Sequence, residues 1–367
     1  MIVRRSSAKA ALSNLFVGDA LSMPVHWYYN PGDIVRQFGP MGVQEMHPAP
    51  KHHPSSIMSL HSTKSGGRRT VEGRNAQREI IGDVILKGKR HLWGQQGMHY
   101  HHGLPAGENT LNAWWARELI QYLLDEKEYS LSGWAQRYVE FMTSEPAGHP
   151  DTYAESCHRG YFANWANGVD PLHCGALTHD TPSMGALVTV APLVIALSKT
   201  HSQEEVKQIC RQHIELTHPD KGLMSVVNAY VDLLLSLFQR DDDKDSILPM
   251  IQTAANSIGG LDLTELLQNK RGDAAIVGGQ YSLACYISDS WPSVCYLAAK
   301  YFESAEKALL VNTNLGGENA HRGAVLGTIV GAASDDVPAN LFDQLAHKQS
   351  LDSLIDRFVS QFIDEDE

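Results

Sequence analysis

The chain reads as all-α, a compact orthogonal multi-helix bundle over residues 1–367 as one domain. Three observations lead there. Apolar residues recur at helical spacing along most of the chain, no segment shows convincing period-two alternation, and nowhere does β–α punctuation repeat. Length alone suggests two domains, but no stretch has the composition of a linker.

In chain order, helices are expected over 8–22, 72–88, 109–125, 131–143, 183–199, 203–216, 223–239, 245–257, 292–314, 320–333 and 348–363. In 109–125, Leu111, Trp114, Trp115, Leu119, Tyr122 and Leu123 form one apolar stripe. Ser202-Gln-Glu-Glu205 is a capping-box pattern ahead of 203–216. The acidic run 241–245 reads as a solvated turn, with Asp245 leading the next helix. In 320–333, Gly327 and Gly331 lie four apart, so one side is nearly bare and a neighbour can pack close. Residues 40–70 and 97–106 are irregular, of the kind that forms lids or binding walls on a rigid scaffold.

Composition narrows the function classes. A charged fraction of 20% and an apolar fraction of 43% describe a soluble globular protein. The net charge of −12 argues against a nucleic-acid surface, with Arg68, Arg69, Arg74 and Arg78 the one basic cluster. The five cysteines show no C-x-x-C spacing and read as core residues of a reducing compartment. No apolar run approaches the roughly 18 residues that cross a bilayer, and the N-terminus lacks an apolar leader segment. A cytoplasmic protein without a membrane partner is expected; oligomeric state is left open.

The chemistry concentrates at two helix mouths. Asn314-Leu-Gly-Gly-Glu-Asn-Ala-His321 brings Glu318, Asn319 and His321 to the start of the small-residue helix, and Gly107-Glu-Asn-Thr110 repeats the Gly-Glu-Asn triplet at another. Capping explains each pair singly, since carboxylates and asparagine suit helix N-termini. Two matching mouths suggest one composite site in which Glu108 and Glu318 face each other. Among 18 histidines, His99, His101 and His102 lie within four residues. That spacing is compatible with zinc or copper, or with a polar wall beside a pocket.

With Gly18-Asp-Ala-Leu-Ser-Met-Pro-Val-His-Trp27, these segments resemble the ADP-ribosylglycohydrolase family, which includes dinitrogenase-reductase-activating glycohydrolases and J-crystallins. Ser183–Pro192, Leu216-Thr-His218 and Tyr286–Pro292 fit its middle landmarks, so the resemblance spans roughly residues 8 to 345. It implies the helical bundle and hydrolysis of a ribosyl N- or O-glycosidic bond in an ADP-ribosyl or related small-molecule or ADP-ribosylated substrate. It also implies two magnesium ions held by carboxylates and threonines. The matching positions depart from that pattern. Glu108, Asn109 and Thr110 stand in a Thr-Asp-Asp-Thr segment, Glu318, Asn319, Ala320 and His321 in an Asp-Thr-Asp-Thr segment, and His26 where the family has Glu.

Only Glu108 and Glu318 remain as carboxylates there, enough to balance one divalent ion but not two. A two-magnesium site is therefore not expected. A single magnesium or manganese is, and zinc less so, although His26 and His321 with the two glutamates make a nitrogen–oxygen set that suits zinc, manganese or iron. The resemblance then assigns Glu108 and Glu318 as base or metal ligands, and His26 or His321 as general acid. Asn109, Thr110, Asn319, His101 and His102 would bind substrate, and Gly316 and Gly317 would let it approach the backbone. The alternative is a catalytically silent binding or structural relative, as the J-crystallins illustrate.

Overall fold

In the computed structural model the described residues are 3–68, 78–241, 244–256, 259–268, 270 and 272–363. They form sixteen α-helices and no strand, beyond a few isolated bridges. The helices are α1 (Arg5–Ser22), α2 (Pro31–Phe38), α3 (Leu111–Glu126), α4 (Leu131–Thr143), α5 (Ser156–Ala166), α6 (Val190–Leu197), α7 (Gln203–Glu215) and α8 (Lys221–Phe238). Then follow α9 (Ile247–Asn256), α10 (Leu263–Leu267), α11 (Asp273–Ile276), α12 (Ile287–Tyr301), α13 (Ala305–Leu315), α14 (Asn319–Ser334), α15 (Ala339–Phe342) and α16 (Lys348–Phe362).

α14 is the axis of the bundle: every residue from Asn319 to Ala333 is buried. α1 packs along it in the opposite sense, with Gly18, Asn14 and Ala10 set against Gly323, Gly327 and Gly331. A Cβ on Gly327 would overlap the Asn14 carbonyl, and one on Gly331 the Ala10 carbonyl. The bare side of the helix is thus filled by the backbone of α1. This contact sets the end of α1, and the chain that leaves it, beside the start of α14.

Local chemistry explains most helix ends. The capping box before α7 is complete: the Ser202 side chain accepts from the Glu205 backbone and Glu205 reaches back to the Ser202 backbone. Asp220 caps α8 by accepting from the Leu223 N–H, and Asn30 caps α2 ahead of Pro31.

Several expectations are corrected. Of the helix expected over 72–88, residues 72–77 lie outside the described residues, and 78–88 are turns. The 292–314 segment is two helices, α12 and α13, separated at 302–304. The first part of 183–199 is a 3₁₀ helix, Met184–Thr189, which hands over to α6. α2 and α5 were not anticipated: α2 spans only 8 residues, too few to establish a period, and the apolar periodicity of α5 is weak. α8 has the length and apolarity of a bilayer crossing, contrary to expectation, with 67% of it buried inside the fold.

Candidate functional site

The head of α3 gathers three carboxylates from two parts of the chain. Asp19, on α1, accepts from Thr110 N (2.8 Å), Thr110 Oγ1 (2.6 Å) and Asn109 Nδ2 (2.9 Å). Asp151 accepts from Leu111 N and from Thr152 N, both at 2.7 Å. Asn112, one residue further, donates to Glu155 Oε2 at 2.7 Å. No side chain of the residue flanking α3 caps it; Asp19 and Asp151 satisfy its open N–H groups instead.

The head of α14 supplies the other half. Gly316 and Gly317 both have positive φ, 72° and 65°, which lets the chain turn sharply into Glu318. Arg322 locks the turn by donating to Asn312 Oδ1 (2.7 Å) and Gly316 O (2.8 Å). Asn319 donates to Thr313 O at 2.8 Å and Val25 O at 3.3 Å. Trp27, a bulky residue at φ 63°, is held there by reciprocal backbone bonds: Trp27 N to Gly317 O and Gly317 N to Tyr28 O, both 2.7 Å. Such a conformation costs roughly 1–3 kcal/mol. Here it carries the indole over the His26 ring, centroids 3.7 Å apart, and its Nε1 onto Glu318 Oε2.

A line of polar groups joins the two heads. Asp151 Oδ1 lies 2.9 Å from His101 Nδ1, and His101 Nε2 lies 2.8 Å from His26 Nδ1. His26 Nε2 is 3.6 Å from Glu318 Oε2, and His321 Nδ1 abuts Glu318 Oε1. Glu155 Oε1 sits 3.8 Å from the same His321 nitrogen. Gly185 backs this cluster. A Cβ there would come within 2.7 Å of Asn112 Nδ2 and Glu155 Oε2, and 3.1 Å of His321 Nδ1.

Burial and charge pull these groups apart. Burial presses the His26 imidazole down to about 3, so it is neutral. Burial opposes charge on Asp151 as well, yet His101, His149 and the Leu111 N–H hold its carboxyl down at about 2. Burial raises the Glu155 carboxyl, and the Glu318 charge adds to that rise. Glu318 is held low against its own burial by His321 and His26.

Two spaces meet here. A chamber of about 10 Å³ is bordered by Trp27, His101, Thr110, Asn112, Glu155 and His321, among others. Beside it an open cleft of about 200 Å³ is walled by Trp27, Tyr29, Tyr100, Tyr153 and Tyr286. Arg68, His61, His179 and Asp180 also line it. Trp27, Tyr153 and Glu155 border both.

The structure thus brings His26, His101, Glu318 and His321 into one cluster, with Thr110 on the chamber wall. It places Glu108 elsewhere. Glu108 Oε1 accepts from Asn109 N (2.9 Å) and Trp114 Nε1 (3.0 Å), and Oε2 lies 2.9 Å from His347 Nε2. No bond or ion pair joins Glu108 to Glu318 among the described residues. Asn109 and Asn319 brace backbone and Asp19. Gly316 and Gly317 meet the protein's own chain, at the Tyr28 and Leu283 carbonyls. His99, His101 and His102 do not converge: His99 Nε2 lies 3.0 Å from Pro24 O, while His101 turns to Asp151.

Sequence reasoning missed Asp151, Glu155, Asn112 and the tyrosine walls; an acid directly ahead of a helix, as in Glu155-Ser156, was the available signal. Among the described residues two groups are spaced to hold a metal ion: His26, Glu318 and His321, and Glu155, Cys157 and His158. In the second, both His158 nitrogens are engaged, by Tyr138 OH (2.6 Å) and Asn112 Oδ1 (3.2 Å). The first offers one carboxylate and two imidazoles. Magnesium prefers oxygen donors, so this set does not fit a magnesium pair.

A family model described as ADP-ribosylglycohydrolase matches residues 2–367 of the chain. Among solved structures, the chain is similar in fold to one described as an "ADP-ribosylglycohydrolase-related protein complex". The two share 18% sequence identity and a TM-score of 0.61, with 98% of this chain and 99% of the other covered. No curated protein matches the sequence.

Proposed function

The chain belongs to the ADP-ribosylglycohydrolase family, and from that premise we propose that it hydrolyses a ribosyl N- or O-glycosidic bond in the cleft above Glu155. The observation that carries the reading is the position of Glu155: it borders the open cleft and the water-sized chamber together.

In this reading the sugar lies between the aromatic walls of the cleft, where Trp27, Tyr100 and Tyr153 offer ring faces and edges. Arg68 and His179 at the rim meet a phosphate or other anionic part of the substrate. Water in the chamber attacks the anomeric carbon as the glycosidic bond breaks through an oxocarbenium-like state. Glu155 takes the proton of that water, and its negative charge offsets the developing positive charge on the sugar. The leaving group departs through the open mouth and takes its proton from solvent. Asn112 holds the Glu155 carboxylate, His321 stands behind it with Glu318 on the far side, and His26 and His101 set the inner wall.

The test is a panel of ADP-ribosyl-arginine, ADP-ribosyl-serine, O-acetyl-ADP-ribose and simple ribosides, assayed for release of the free sugar moiety. Turnover of at least one compound by the wild type, lost in Glu155→Gln, supports the reading. Binding of a riboside without turnover, equal in the two proteins, would leave a binding protein instead.

A further inference from the structure

Glu155 caps nothing: its side chain makes no bond to the helix it precedes, α5. Among the described residues, the one hydrogen bond to that side chain comes from Asn112 Nδ2, at 2.7 Å to Oε2. Asn112 is itself the end of a longer chain. Its Oδ1 lies 3.2 Å from His158 Nε2, and Tyr138 OH lies 2.6 Å from His158 Nδ1. The four side chains are all buried and come from α3, α4, α5 and the residue ahead of α5. From this chain we infer that Tyr138 and His158 are positioning residues: acting through Asn112, they hold the Glu155 carboxylate in one orientation beside the chamber. The inference rests on the reading of Glu155 as the base.

Donors and acceptors along the chain fall into one order. Asn112 faces two acceptors, the Glu155 carboxylate and the Gly185 carbonyl, the latter at 3.4 Å. The network therefore assigns its NH₂ to that side, since the flipped amide would set Oδ1 against both. Oδ1 is left for His158, so Nε2 carries the ring proton. Burial, followed by the nearby His218, His149, His321 and Arg159, lowers the His158 pKa well below its usual value, and the ring holds no second proton. Nδ1 thus accepts from Tyr138, whose hydroxyl is kept protonated by burial. Without that hydroxyl, nothing selects the nitrogen that His158 protonates. The other tautomer turns a lone pair on Asn112 Oδ1, the amide flips, and an oxygen then faces Glu155.

Glu155 has no second anchor of this kind among the described residues. His321 Nδ1 stands 3.8 Å from Oε1, beyond hydrogen-bonding distance, and is paired directly with Glu318. Glu318 and Asp180 are negative and repel the carboxylate. Neither Tyr138 nor His158 borders the cleft or the chamber, so neither touches substrate. Trp115 meets the His158 ring edge-on, centroids 5.1 Å apart, and Tyr161 meets Tyr138 at 4.9 Å. Packing thus keeps both rings in place, and the chain passes that rigidity to Glu155.

Two readouts on the full chain test the inference. The first needs no substrate. In protein labelled with ¹⁵N-histidine, the His158 signals are those lost in His158→Gln. Their shifts should place the proton on Nε2 and the lone pair on Nδ1. A proton on Nδ1, or on both nitrogens, would overturn the inference. The second readout is turnover of a panel compound that the wild type hydrolyses. Tyr138→Phe removes one hydroxyl and keeps the ring, and kcat should fall about 10-fold. His158→Leu should lower kcat about 100-fold, the scale of a small misplacement, with KM within about twofold of the wild type. His158→Gln, whose NH₂ can still donate to Asn112 Oδ1, should recover most of that loss. Added to Glu155→Gln, His158→Leu should cost little more, because both act on one group. Wild-type kcat in folded His158→Leu, or equal losses in its leucine and glutamine variants, would overturn the inference while Glu155→Gln stays inactive. Turnover retained in Glu155→Gln, or no compound hydrolysed, removes instead the reading of Glu155 as base. The tautomer alone then decides whether the chain orders that carboxylate. Should His158→Leu not fold, Tyr138→Phe and the tautomer decide.

Discussion

The rings of His26 and His101 are parallel to within 1°, with Nδ1 of the first 2.8 Å from Nε2 of the second. Because Asp151 holds the far side of His101, the start of α3 and the start of α14 are connected through two imidazoles and no intervening backbone. Asp151 also accepts from the first N–H of α3. One carboxylate therefore fixes both the position of a helix and the proton arrangement of the inner wall.

That double role makes Asp151→Asn informative. An amide can present its NH₂ to His101, which disturbs the donor pattern along the line from Asp151 to His26. Loss of the charge at the helix start should cost about 0.3–1 kcal/mol, seen in thermal melts. Turnover should fall as well, by up to about 100-fold, the scale of a small misplacement of the groups around the reacting atoms. A melt lowered with turnover untouched would reduce Asp151 to a helix cap.

Glu155→Gln keeps the shape of the side chain, and its oxygen can still accept from Asn112. Turnover should fall at least about 100-fold, the lower end of an acid–base contribution, with the far-ultraviolet spectrum unchanged. Glu108→Gln is the companion variant. Its carboxylate is taken up by Trp114 and His347, so turnover should change little. The opposite ranking of the two variants would move the chemistry to the outer mouth of α3.

The helical class was legible because sustained periodicity in long segments needs no tertiary information. The packing of α1 on α14 was legible in part, because Gly327 and Gly331 reveal a bare face without saying what covers it. Glu318 and His321 were legible because they stand at the mouth of a tightly packed helix, and His26 through the family resemblance alone. Glu108 illustrates where that reasoning ends. A side chain at a helix mouth can point inward or fold back along its own helix, and Trp114, six residues on, draws Glu108 back. Asp151 and Glu155 precede a short helix with weak periodicity. Their importance comes from contacts with Leu111, Asn112 and His101, 40 or more residues away in sequence, which no local pattern encodes.

Gly327→Ala tests the scaffold. The added methyl overlaps the Asn14 carbonyl, a backbone atom that cannot swing aside, so α1 and α14 must separate. Overpacking of this kind costs about 1–3 kcal/mol, far more than the helix propensity gained from alanine. Chemical denaturation should show the loss. Turnover should fall as well, because His26 follows α1 and Glu318 heads α14. A variant as stable as the wild type would mean that the helices are less closely packed than described.

The pH dependence of stability has a defined sign. His213 is buried between Tyr129 OH and Thr189 Oγ1, both at 2.9 Å, with its ring stacked on Trp134. Burial, with a smaller contribution from His218, lowers its pKa to about 3. Above pH about 6.5 neither the folded nor the unfolded chain protonates this ring, so it adds no pH dependence there. Between about 6.5 and 3 the unfolded chain binds a proton that the folded chain refuses, so stability falls as pH falls. At pH 5 this one residue removes about 2 kcal/mol relative to neutral pH. His53, His149 and His218, each lowered to about 4 chiefly by burial, act in the same direction. Urea denaturation at pH 7 and pH 5 should therefore show a steep loss for the wild type. In His213→Gln, whose amide can still bond to Tyr129 and Thr189, the loss should shrink by about 2 kcal/mol, whatever the variant costs at pH 7. Parallel pH profiles for the two proteins would show that His213 takes up its proton in the folded state, and that the polar pair around it does not keep the ring neutral.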